Sequence, residues 1–387
     1  MPDPKKRIRV AHIITNFSVG GAQDYLLLIV RGLDQKKFDP IIAGSMQGEW
    51  ISAAKAIKGT TVLNIPSLCR PISPLRDLRA MFEVKRLCRE HKIDILHTHS
   101  SKPGVVARIG GFLAGVPAIV HTIHGFSFHD FMPRWQRRMF IFIEQWMSRF
   151  TTTLLLYSHA DRIRADEHGI SAVRSVENFY YGIDYTPFRR KTNRVKIRRA
   201  FGFGRKEFII GFTGRLSRQK GLHILVRAFA AVHRHLPQTR LLLIGDGPLR
   251  SELQNEIKGN NLENVATITG FRSDIPELLP ALDLFVMTSL WEGLSRSLAE
   301  ALYAQLPVVA TDVGGTSDAI RNGETGWLIP PNDVAAAAAA IEEAVGKPGL
   351  ARKIAERGYR WARKAFDVKA MNKKIEQLYI GLMRINV

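Results

Sequence analysis

The sequence predicts an α/β protein with two Rossmann-like domains. The chain has 387 residues, which is enough for two or three domains with sizeable cores. Short apolar runs rich in β-branched residues alternate with longer segments of helical pattern, as in parallel sheets covered by helices on both faces. This alternation stops at a polar, basic stretch and then starts again, which predicts two such domains.

The predicted strands form two series along the chain. The first series covers residues 8–15, 39–43, 61–65, 93–97, 118–122 and 152–157. The second covers residues 208–213, 240–244, 265–269, 284–288 and 308–311. The boundary falls near residues 182–187, which gives a first domain over 1–182 and a second over 183–365. Residues 186–206 carry nine Lys or Arg and no acid, and we interpret them as a solvated linker and first helix rather than a nucleic-acid patch.

The composition limits the classes of function. The formal net charge is +21, a field that attracts phosphates, anionic lipid surfaces or nucleic acid. The two cysteines, Cys69 and Cys88, lack metal-ligand spacing and make a poor disulfide framework, so a reduced, cytosolic compartment is expected. The basic N-terminus leads into an apolar run too short for a signal peptide, which we interpret as a buried first strand. No apolar run of 18 residues occurs, so the sequence predicts no membrane span.

Two glutamates stand eight positions apart in residues 289–302, between two apolar strands. This layout places Glu292 on a loop and Glu300 in a helix. Eight helical residues rise about 12 Å, too far for the two carboxyl groups of a glycosidase, which lie about 5–9.5 Å apart. The two carboxylates are therefore expected to hold two parts of one long ligand. The alternative is that residues 297–300 form a capping box and that Glu292 is a solvated loop residue.

Two glycine-rich turns follow strands. Gly20 and Gly21 open a helix after the first strand, where free N–H groups face an anion, although a plain tight turn is an alternative. Gly214 begins a turn that carries Arg215 and Lys220. A guanidinium and an ammonium at the carboxyl end of a parallel strand suit a diphosphate, and two surface cations are the alternative. The turn lacks the pattern of an ATP-binding P-loop. Further turns at 245–248 and 314–315 are interpreted as structural.

Four motifs follow one another in a fixed order. They are Gly20-Gly21, Gly-Arg-Leu-x-x-x-Lys-Gly at 214–221, Gly-Asp-Gly-Pro at 245–248, and Glu292-Gly-Leu with Glu300 after seven intervening residues. With these motifs the chain resembles the retaining glycosyltransferases of the GT-B fold, which use nucleotide-diphosphate sugars, from about residue 8 to 365. Segments 97–104 and 121–126 are similar to family members that build bacterial surface polysaccharides. The resemblance implies two Rossmann-like domains facing across a cleft, with a C-terminal helix over 366–387 that crosses back to the first domain.

The resemblance also implies a role for each matching residue. The catalytic residues would be Arg215 and Lys220 on the diphosphate, Glu292 on the sugar hydroxyls, and His124 beside the donor sugar. The other substrate-binding positions would be Gly20, Gly21 and Gly214 at the diphosphate, Phe271 and Arg272 at the base, Gly293, Leu294 and Ser295 at the sugar, and Glu300 at the ribose.

The chain departs from the family pattern at several positions. Tyr181 replaces a usual Asn near the hinge, Thr288 and Ser295 replace common prolines, and Asp318 replaces a Glu. None of these four is among the expected phosphate or ribose ligands, so an active enzyme is still expected.

The expected reaction uses a nucleotide-diphosphate sugar as co-substrate and neither a cofactor nor a metal ion. His97 and His99 alternate at strand spacing without acidic or cysteine partners, so we interpret them as structural rather than metal ligands. The resemblance favours a UDP-hexose or UDP-N-acetylhexosamine donor over GDP-mannose, and a glycan or polyprenyl-diphosphate-linked glycan acceptor. Retention without an obvious nucleophile implies front-face substitution, in which the leaving phosphate takes the acceptor proton.

Residues 131–150 form an aromatic, basic amphipathic helix. Such a helix lies in a membrane interface, and with the positive net charge it predicts docking on the anionic inner face of the cytoplasmic membrane. The alternative is that most of its aromatic rings pack into the first domain, and the sequence favours this for most of them. Two other functions stay open. One is an epimerase of similar fold that acts on UDP-N-acetylhexosamine, and the other is a non-enzymatic protein that binds nucleic acid or anionic surfaces. No nucleic-acid recognition motif is found, so no nucleic-acid partner is expected.

Overall fold

The chain divides into two compact units. The computed structural model describes residues 7–190 and 192–384. Unit 1 runs to Gly182 and includes the chain from Val368 onward, and unit 2 comprises Ile183–Asp367. Residues 1–6 of the predicted first domain, Lys191 in the basic stretch and residues 385–387 of the predicted terminal helix lie outside the described residues.

Within the described residues, unit 1 contains a parallel sheet of seven strands in the order β3-β2-β1-β4-β5-β6-β7. The strands are β1 (Ile8–Asn16), β2 (Phe38–Ser45), β3 (Thr61–Asn64), β4 (Ile95–His99), β5 (Ala118–Thr122), β6 (Thr153–Leu156) and β7 (Ser175–Asn178). Their helices are α1 (Gly21–Gly32), α2 (Ile51–Lys55), α3 (Pro74–Glu90), α4 (Ser101–Ala114), α5 (Arg134–Ser148) and α6 (His159–Glu167).

Both faces of the unit 1 sheet are covered because its strands are apolar on both sides. Ile13 packs in a cluster with residues of α3 and α4, including Val84 and Val106. The next residue, Ile14, packs in a different cluster with Leu26 of α1. Successive strand side chains point to opposite faces, so this pair places α1 on one face and α3 with α4 on the other.

Unit 2 repeats the architecture with six strands in the described chain, in the order β10-β9-β8-β11-β12-β13. The strands are β8 (Phe208–Thr213), β9 (Thr239–Ile244), β10 (Ala266–Ile268), β11 (Leu284–Met287), β12 (Val308–Thr311) and β13 (Trp327–Ile329). The helices are α7 (Arg194–Ala200), α8 (Leu222–His235), α9 (Arg250–Gly259), α10 (Ile275–Leu278), α11 (Arg296–Tyr303), α12 (Thr316–Ala319), α13 (Val334–Gly346) and α14 (Pro348–Ala365). Short 3₁₀ turns occupy Thr186–Arg189, Arg218–Lys220 and Leu279–Ala281.

The last helix, α15 (Val368–Arg384), belongs to unit 1. Asn372 of α15 donates to the backbone oxygen of Leu28 on α1 at 3.2 Å. Glu376 accepts from the backbone N–H of Asp34, just after α1, at 2.7 Å. The ring of Tyr379 is fully buried. Polar anchors and one buried aromatic ring therefore fix α15 to this unit.

The predicted fold class of two Rossmann-like domains is confirmed, with two corrections to the strands. The sequence pattern does not predict β7 or β13, which lie at sheet edges. β7 is a short polar run and β13 has only three residues, so neither forms the buried apolar run by which the other strands were recognised. Strand β4 starts and ends two residues later than predicted, which makes His99 its last residue.

The prediction that most aromatic rings of residues 131–150 pack into the first domain is wrong. Phe131, Trp135, Phe142 and Trp146 are all exposed, with Trp135 at 69% and Phe142 at 67%. The reason is the register of α5, whose inward face is taken by Met147 and by Glu144, the buried partner of an arginine on α4. Within the described residues, no helix has both the length and the apolar composition needed to cross a membrane.

Candidate functional site

The candidate site in unit 2 lies where the strand order reverses. From β8 the chain proceeds to β9 and β10 on one side, then crosses to β11 and continues to β12 and β13 on the other. In open parallel sheets, ligands bind at such a switch point, outside the carboxyl ends of the strands. The loops that follow β8 and β11 both end there, and they carry Arg215, Lys220 and Glu292.

The loop after β8 needs glycine at its end. Gly221 has a φ of 56° and is the N-cap of α8. A side chain there would collide with the backbone oxygen of Thr288, in the loop after β11. This close approach lets Thr288 Oγ1 donate to the oxygen of Gly221 at 3.0 Å, while the N–H of Leu290 donates to the oxygen of Gln219 at 2.7 Å. The two loops are thus joined before any ligand contributes.

Lys220 and Glu292 form an ion pair across these joined loops. The side chain of Lys220 is 14% exposed and that of Glu292 is 7% exposed, so neither is a solvated surface charge. Ser289 Oγ donates to Glu292 Oε1 at 2.8 Å, and Gln219 Nε2 lies 3.4 Å from Glu292 Oε2. The ion pair and two further side chains, Ser289 and Gln219, therefore hold the carboxylate of Glu292 at the switch point.

Arg215 differs from Lys220 in its surroundings. It is exposed, and no carboxylate in residues 7–190 and 192–384 forms an ion pair with it. Gly214, directly before it, has a φ of 149° and turns the chain at the end of β8. The sequence predicts that both cations bind one diphosphate, and the structure shows Arg215 exposed and Lys220 already paired with Glu292.

Glu300 lies inside α11, as predicted, while Glu292 stays on the loop. Glu300 is 6% exposed and accepts from Arg296 Nε at 2.7 Å, one helical turn earlier. The alternative of a capping box at residues 297–300 is not supported, because α11 begins at Arg296 with Ser295 at its N-cap. Ser297 is thus already helical, and its Oγ lies 3.1 Å from that of Ser295.

The residues 293–295 form the turn into α11 and are held by the loop after β12. The N–H of Gly315 donates to the oxygen of Gly293 at 3.2 Å. A side chain on Gly314 would collide with the backbone oxygen of Glu292. Ser295, the N-cap residue, makes no side-chain capping bond to the first turn of α11. The first N–H groups of a helix have no partner within the helix, so this turn can offer them to an anion or hydroxyl.

Phe271 and Arg272 lie on the turn after β10, at the edge of the sheet. Gly270 has a φ of 78° and forms an isolated bridge with Gly245 after β9. The ring of Phe271 is 62% exposed, as a platform for a planar group would be. Arg272 is bound to Asp274 through both Nε and Nη2, and this bond raises the pKa of its guanidinium.

Unit 1 has its own switch point, between β1 and β4. Gly20 is the N-cap of α1 and Gly21 its first residue, directly after β1. Their turn is held by Gln23, whose Nε2 donates to the oxygen of Asn16 at 3.2 Å. Tyr181 donates to Asp24 of α1, so the residue that departs from the family pattern makes a contact of its own.

His124 follows β5 and contacts a group of buried histidines. Its Nε2 lies 3.4 Å from Nδ1 of His99, whose Nε2 lies 3.1 Å from Nδ1 of His12. Burial lowers the pKa of His124 and of His12 to about 3. His97 is bound on both nitrogens, by Tyr379 OH at 2.5 Å and by Thr122 Oγ1 at 2.6 Å.

Several residues of the unit 2 site were not singled out by the sequence. Ser289, Gln219 and Arg296 hold Glu292 and Glu300, but they are common loop and helix residues without a pattern of their own. Their only signal is position, since each lies within four residues of Lys220, Glu292 or Glu300.

Comparison with known proteins identifies the family. Residues 193–361 match the family "Glycosyl transferases group 1" and residues 20–178 match "Glycosyl transferase 4-like domain". The chain is 30% identical over 348 residues to the Escherichia coli UDP-Gal:alpha-D-GlcNAc-diphosphoundecaprenol alpha-1,3-galactosyltransferase, covering 86% of this chain and 87% of that one. The chain belongs to the group 1 glycosyltransferases. The present chain is also 22% identical to the capsular polysaccharide biosynthesis glycosyltransferase CapM of Staphylococcus aureus, over 82% of this chain and 84% of CapM.

The solved structures agree on the fold of the glycosyltransferase. Anabaena HepE, determined in complex with UDP and glucose, matches with a TM-score of 0.84 at 24% identity, over 97% of this chain and 100% of that one. At this identity the match establishes the fold, which confirms the predicted GT-B class. The expected membership of the glycosyltransferase family is likewise confirmed, and the epimerase alternative is not favoured.

Proposed function

We propose that the protein is a retaining, metal-independent glycosyltransferase that moves a hexose or N-acetylhexosamine from a UDP-sugar to a polyprenyl-diphosphate-linked glycan, in the synthesis of a bacterial surface polysaccharide. The name of the E. coli relative supports both substrates, since that enzyme uses UDP-Gal and a diphosphoundecaprenol acceptor. The similar HepE binds UDP and glucose. GDP-mannose is kept as the second donor candidate.

The observation that carries the proposal is the Lys220–Glu292 pair at the switch point of unit 2. A low-dielectric site that holds a cation beside an anion can bind two neighbouring parts of a ligand. The cation is the partner for a diphosphate, and the carboxylate is the partner for sugar hydroxyls. When a diphosphate binds, Lys220 exchanges one anion for another, and the freed oxygens of Glu292 accept from sugar hydroxyls. Ser289 and Gln219 keep Glu292 in position through this exchange.

The remaining residues divide among the parts of the donor. Arg215 binds the diphosphate from the exposed end of its loop, and Gly214 lets the backbone approach. The N–H groups of 293–295 bind sugar hydroxyls, Glu300 accepts from the ribose, and Phe271 with Arg272 meets the base. In unit 1 the proposal assigns Gly20 and Gly21 to the diphosphate and His124 to the sugar.

The chemical step needs charge stabilisation more than a nucleophile. The bond from the anomeric carbon to the phosphate oxygen breaks, and the acceptor oxygen forms its new bond on the same face of the sugar. The acceptor proton passes to the leaving phosphate oxygen, so UDP departs with the proton. Arg215 and Lys220 stabilise the negative charge that develops on the phosphate, as preorganised cations do in other enzymes.

The exposed face of α5 supports an acceptor embedded in a membrane. Trp135, Met139, Phe142 and Trp146 recur at helical spacing in one exposed row. Beside them, Arg134, Arg138 and Arg149 are also exposed. Aromatic and apolar side chains that sit beside basic ones are typical of helices that lie in an anionic membrane interface.

The apolar row continues onto the end of α4. The ring of Phe150 contacts Trp146 with centroids 5.0 Å apart, and it contacts Phe112 at the same distance. Phe112 is 56% exposed. The acidic residue within α5, Glu144, is buried against Arg108, so it does not oppose an anionic surface. We therefore propose peripheral docking of unit 1 on the inner face of the cytoplasmic membrane.

Calorimetric titration with UDP and GDP tests the donor site. UDP should bind to the wild-type protein and more weakly to Glu300→Ala and Arg215→Ala. Arg218→Ala removes a neighbouring exposed arginine from the same loop and is the matched control. Binding of neither nucleotide, or an equal loss in the control, would contradict the assignment.

Product analysis tests the reaction. Incubation with UDP-sugars and a short-chain polyprenyl-diphosphate glycan should give a product whose new linkage keeps the anomeric configuration of the donor, as measured by proton NMR. Activity should persist in EDTA. An altered UDP-sugar without acceptor would instead support an epimerase, and a sugar trapped covalently on Glu292 would overturn front-face substitution.

Vesicle flotation tests the docking surface. The wild type should float with anionic vesicles at low salt and less with neutral ones, because both the arginines and the aromatic rings contribute. Trp135→Ala/Phe142→Ala should lose most of this binding, while Val173→Ala, an exposed apolar residue outside α5, should not. Equal flotation with anionic and neutral vesicles would reject the proposal.

A further inference from the structure

Three histidines of unit 1 form a continuous hydrogen-bonded chain. Nε2 of His124 meets Nδ1 of His99 at 3.4 Å, and Nε2 of His99 meets Nδ1 of His12 at 3.1 Å. His12 lies at the centre of β1 and His99 at the end of the neighbouring strand β4, and both are fully buried, whereas His124 is half-buried on the loop after β5. The chain thus runs from the interior of the sheet to its carboxyl edge.

The protonation of one member fixes that of the others. A neutral imidazole has one N–H and one lone pair, so every contact between two rings needs one donor and one acceptor. If His99 donates through Nδ1, it must accept at Nε2, and His12 then donates through Nδ1. If His99 donates through Nε2, His124 must donate through its own Nε2. The chain has two directions and no mixed arrangement.

The buried end of the chain selects one direction. Nε2 of His12 is buried and has no hydrogen-bond partner among the residues that the structure describes. In the first direction this atom carries a lone pair, and in the second it carries an N–H without an acceptor. Orphaned buried N–H groups are the rarer defect in proteins, so the first direction is favoured. Burial, which lowers the pKa of all three rings, keeps them neutral at physiological pH.

We propose that His12 and His99 are positioning residues that hold His124 as its Nδ1-protonated tautomer, so that His124 offers a donor and not a lone pair to the bound sugar. In this arrangement His99 Nδ1–H donates to His124 Nε2. The remaining nitrogen of His124, Nδ1, has no partner in the described part of the chain and is left for a ligand oxygen. The tautomer of His124 is inferred from the hydrogen bonds among the three histidines alone. That its N–H binds the donor sugar rests on the proposed function.

A metal site is the alternative interpretation of the buried histidines. Their contacts favour the hydrogen-bonded chain of His12, His99 and His124. His12, His97 and His99 bring one nitrogen each within 4.8 Å of one another. Both nitrogens of His97, however, already have short contacts, with Tyr379 and Thr122. An ion would have to break one of these bonds, whereas the chain from His12 to His124 requires none to change.

Nitrogen-15 NMR of the full-length protein with labelled histidine tests the tautomer directly. Long-range proton–nitrogen correlations distinguish the two tautomers, and His124→Gln assigns the signal. The wild type should show His124 protonated on Nδ1. His99→Leu removes the donor and should let His124 populate both tautomers, whereas His99→Asn, whose amide nitrogen can take the place of Nδ1, should preserve the wild-type state. His97→Gln, in the same cluster but outside the chain, should leave the His124 signal unchanged.

Activity and binding give the second readout. His99→Leu should lower kcat about 3- to 10-fold, the size of one lost hydrogen bond, while UDP affinity stays unchanged and His99→Asn restores most of the rate. A wild-type His124 protonated on Nε2, or one unaffected by His99→Leu, would overturn the proposal. Stoichiometric zinc in the purified protein would replace it with a metal site. If no UDP-sugar is used at all, the proposed function fails while the NMR result still decides the tautomer.

Discussion

Replacing Lys220 with Met tests how much the Lys220–Glu292 ion pair contributes to the stability of unit 2 when no ligand is bound. The two partners are 14% and 7% exposed, so the pair is treated as buried. Removing one partner of a buried ion pair costs about 3–5 kcal/mol, because the other charge is left alone. In the variant Glu292 keeps its contacts with Ser289 at 2.8 Å and with Gln219 at 3.4 Å. The hydrogen bond from Ser289 is the stronger of the two, and it offsets about 1 kcal/mol of the cost of the lost ion pair.

The expected loss in Lys220→Met is therefore about 2–4 kcal/mol of unfolding free energy. Glu292→Gln should cost less, about 1 kcal/mol, because the amide still accepts from Ser289 and the flexible, partly exposed lysine can extend its ammonium toward solvent. The double variant should lose less than the sum of the two, with a coupling of about 1–2 kcal/mol.

Urea unfolding measures these losses, and hydrogen exchange of peptides from β8 and β11 assigns them to unit 2. Arg218→Met, in the same 3₁₀ turn but exposed, is the matched control and should stay within about 0.5 kcal/mol of the wild type. A Lys220→Met protein as stable as this control, or strictly additive losses in the double variant, would refute a buried, coupled pair.

Three further predictions concern other parts of the molecule. Arg108→Met should cost about 3–5 kcal/mol because it strands the buried Glu144, and the added change Glu144→Leu should restore much of it; a denaturant midpoint that falls further in the double variant would contradict this. Acid should weaken unit 1, because unfolded His12 binds a proton below pH 6.5 while the folded residue, with its pKa near 3, does not. Each such histidine lowers the free energy of unfolding by about 1.4 kcal/mol for every pH unit of acidification. His12→Leu should therefore reduce, by this amount, the slope of the calorimetric unfolding free energy against pH between 6.5 and 5. An unchanged slope would argue against this role of His12. Gly221→Ala should weaken UDP binding at least tenfold, since a side chain would push the loop from Thr288, whereas Gly259→Ala, with open space around it, should not change titration with UDP.

Most of the sheet could be predicted from the sequence because its strands are buried on both faces. The apolar runs of β1, β5, β8 and β12 stand out against polar loops, and their predicted bounds lie within one residue of the observed ones. The edge strands β7 and β13 could not be found, since a short edge strand needs no continuous apolar run. Periodicity reports burial, so it fails where burial is partial.

The position of the candidate site could be predicted in part for a similar reason, while the roles of its residues stay predictions. Glycine turns and charges at strand ends pointed to Arg215, Lys220 and Glu292, because charged residues stand out after an apolar strand. Their pairing could not be predicted, because it depends on a loop contact between residues about 70 positions apart, as from Gln219 to Leu290. The hydrogen bonds among His12, His99 and His124 could not be predicted either, because the spacing along one strand does not show which rings meet across neighbouring strands.

The return of α15 to unit 1 has a consequence for how the polypeptide matures. Unit 2 is one continuous stretch, whereas unit 1 is completed by a helix made about 190 residues after its last strand, from Asn178 to Val368. On the ribosome, unit 2 can therefore finish first, while the face of α1 and the ring of His97 wait for Asn372, Glu376 and Tyr379. Contacts between such distant positions form slowly, so the nascent first unit stays incomplete, and open to proteases and chance partners, until α15 has been made.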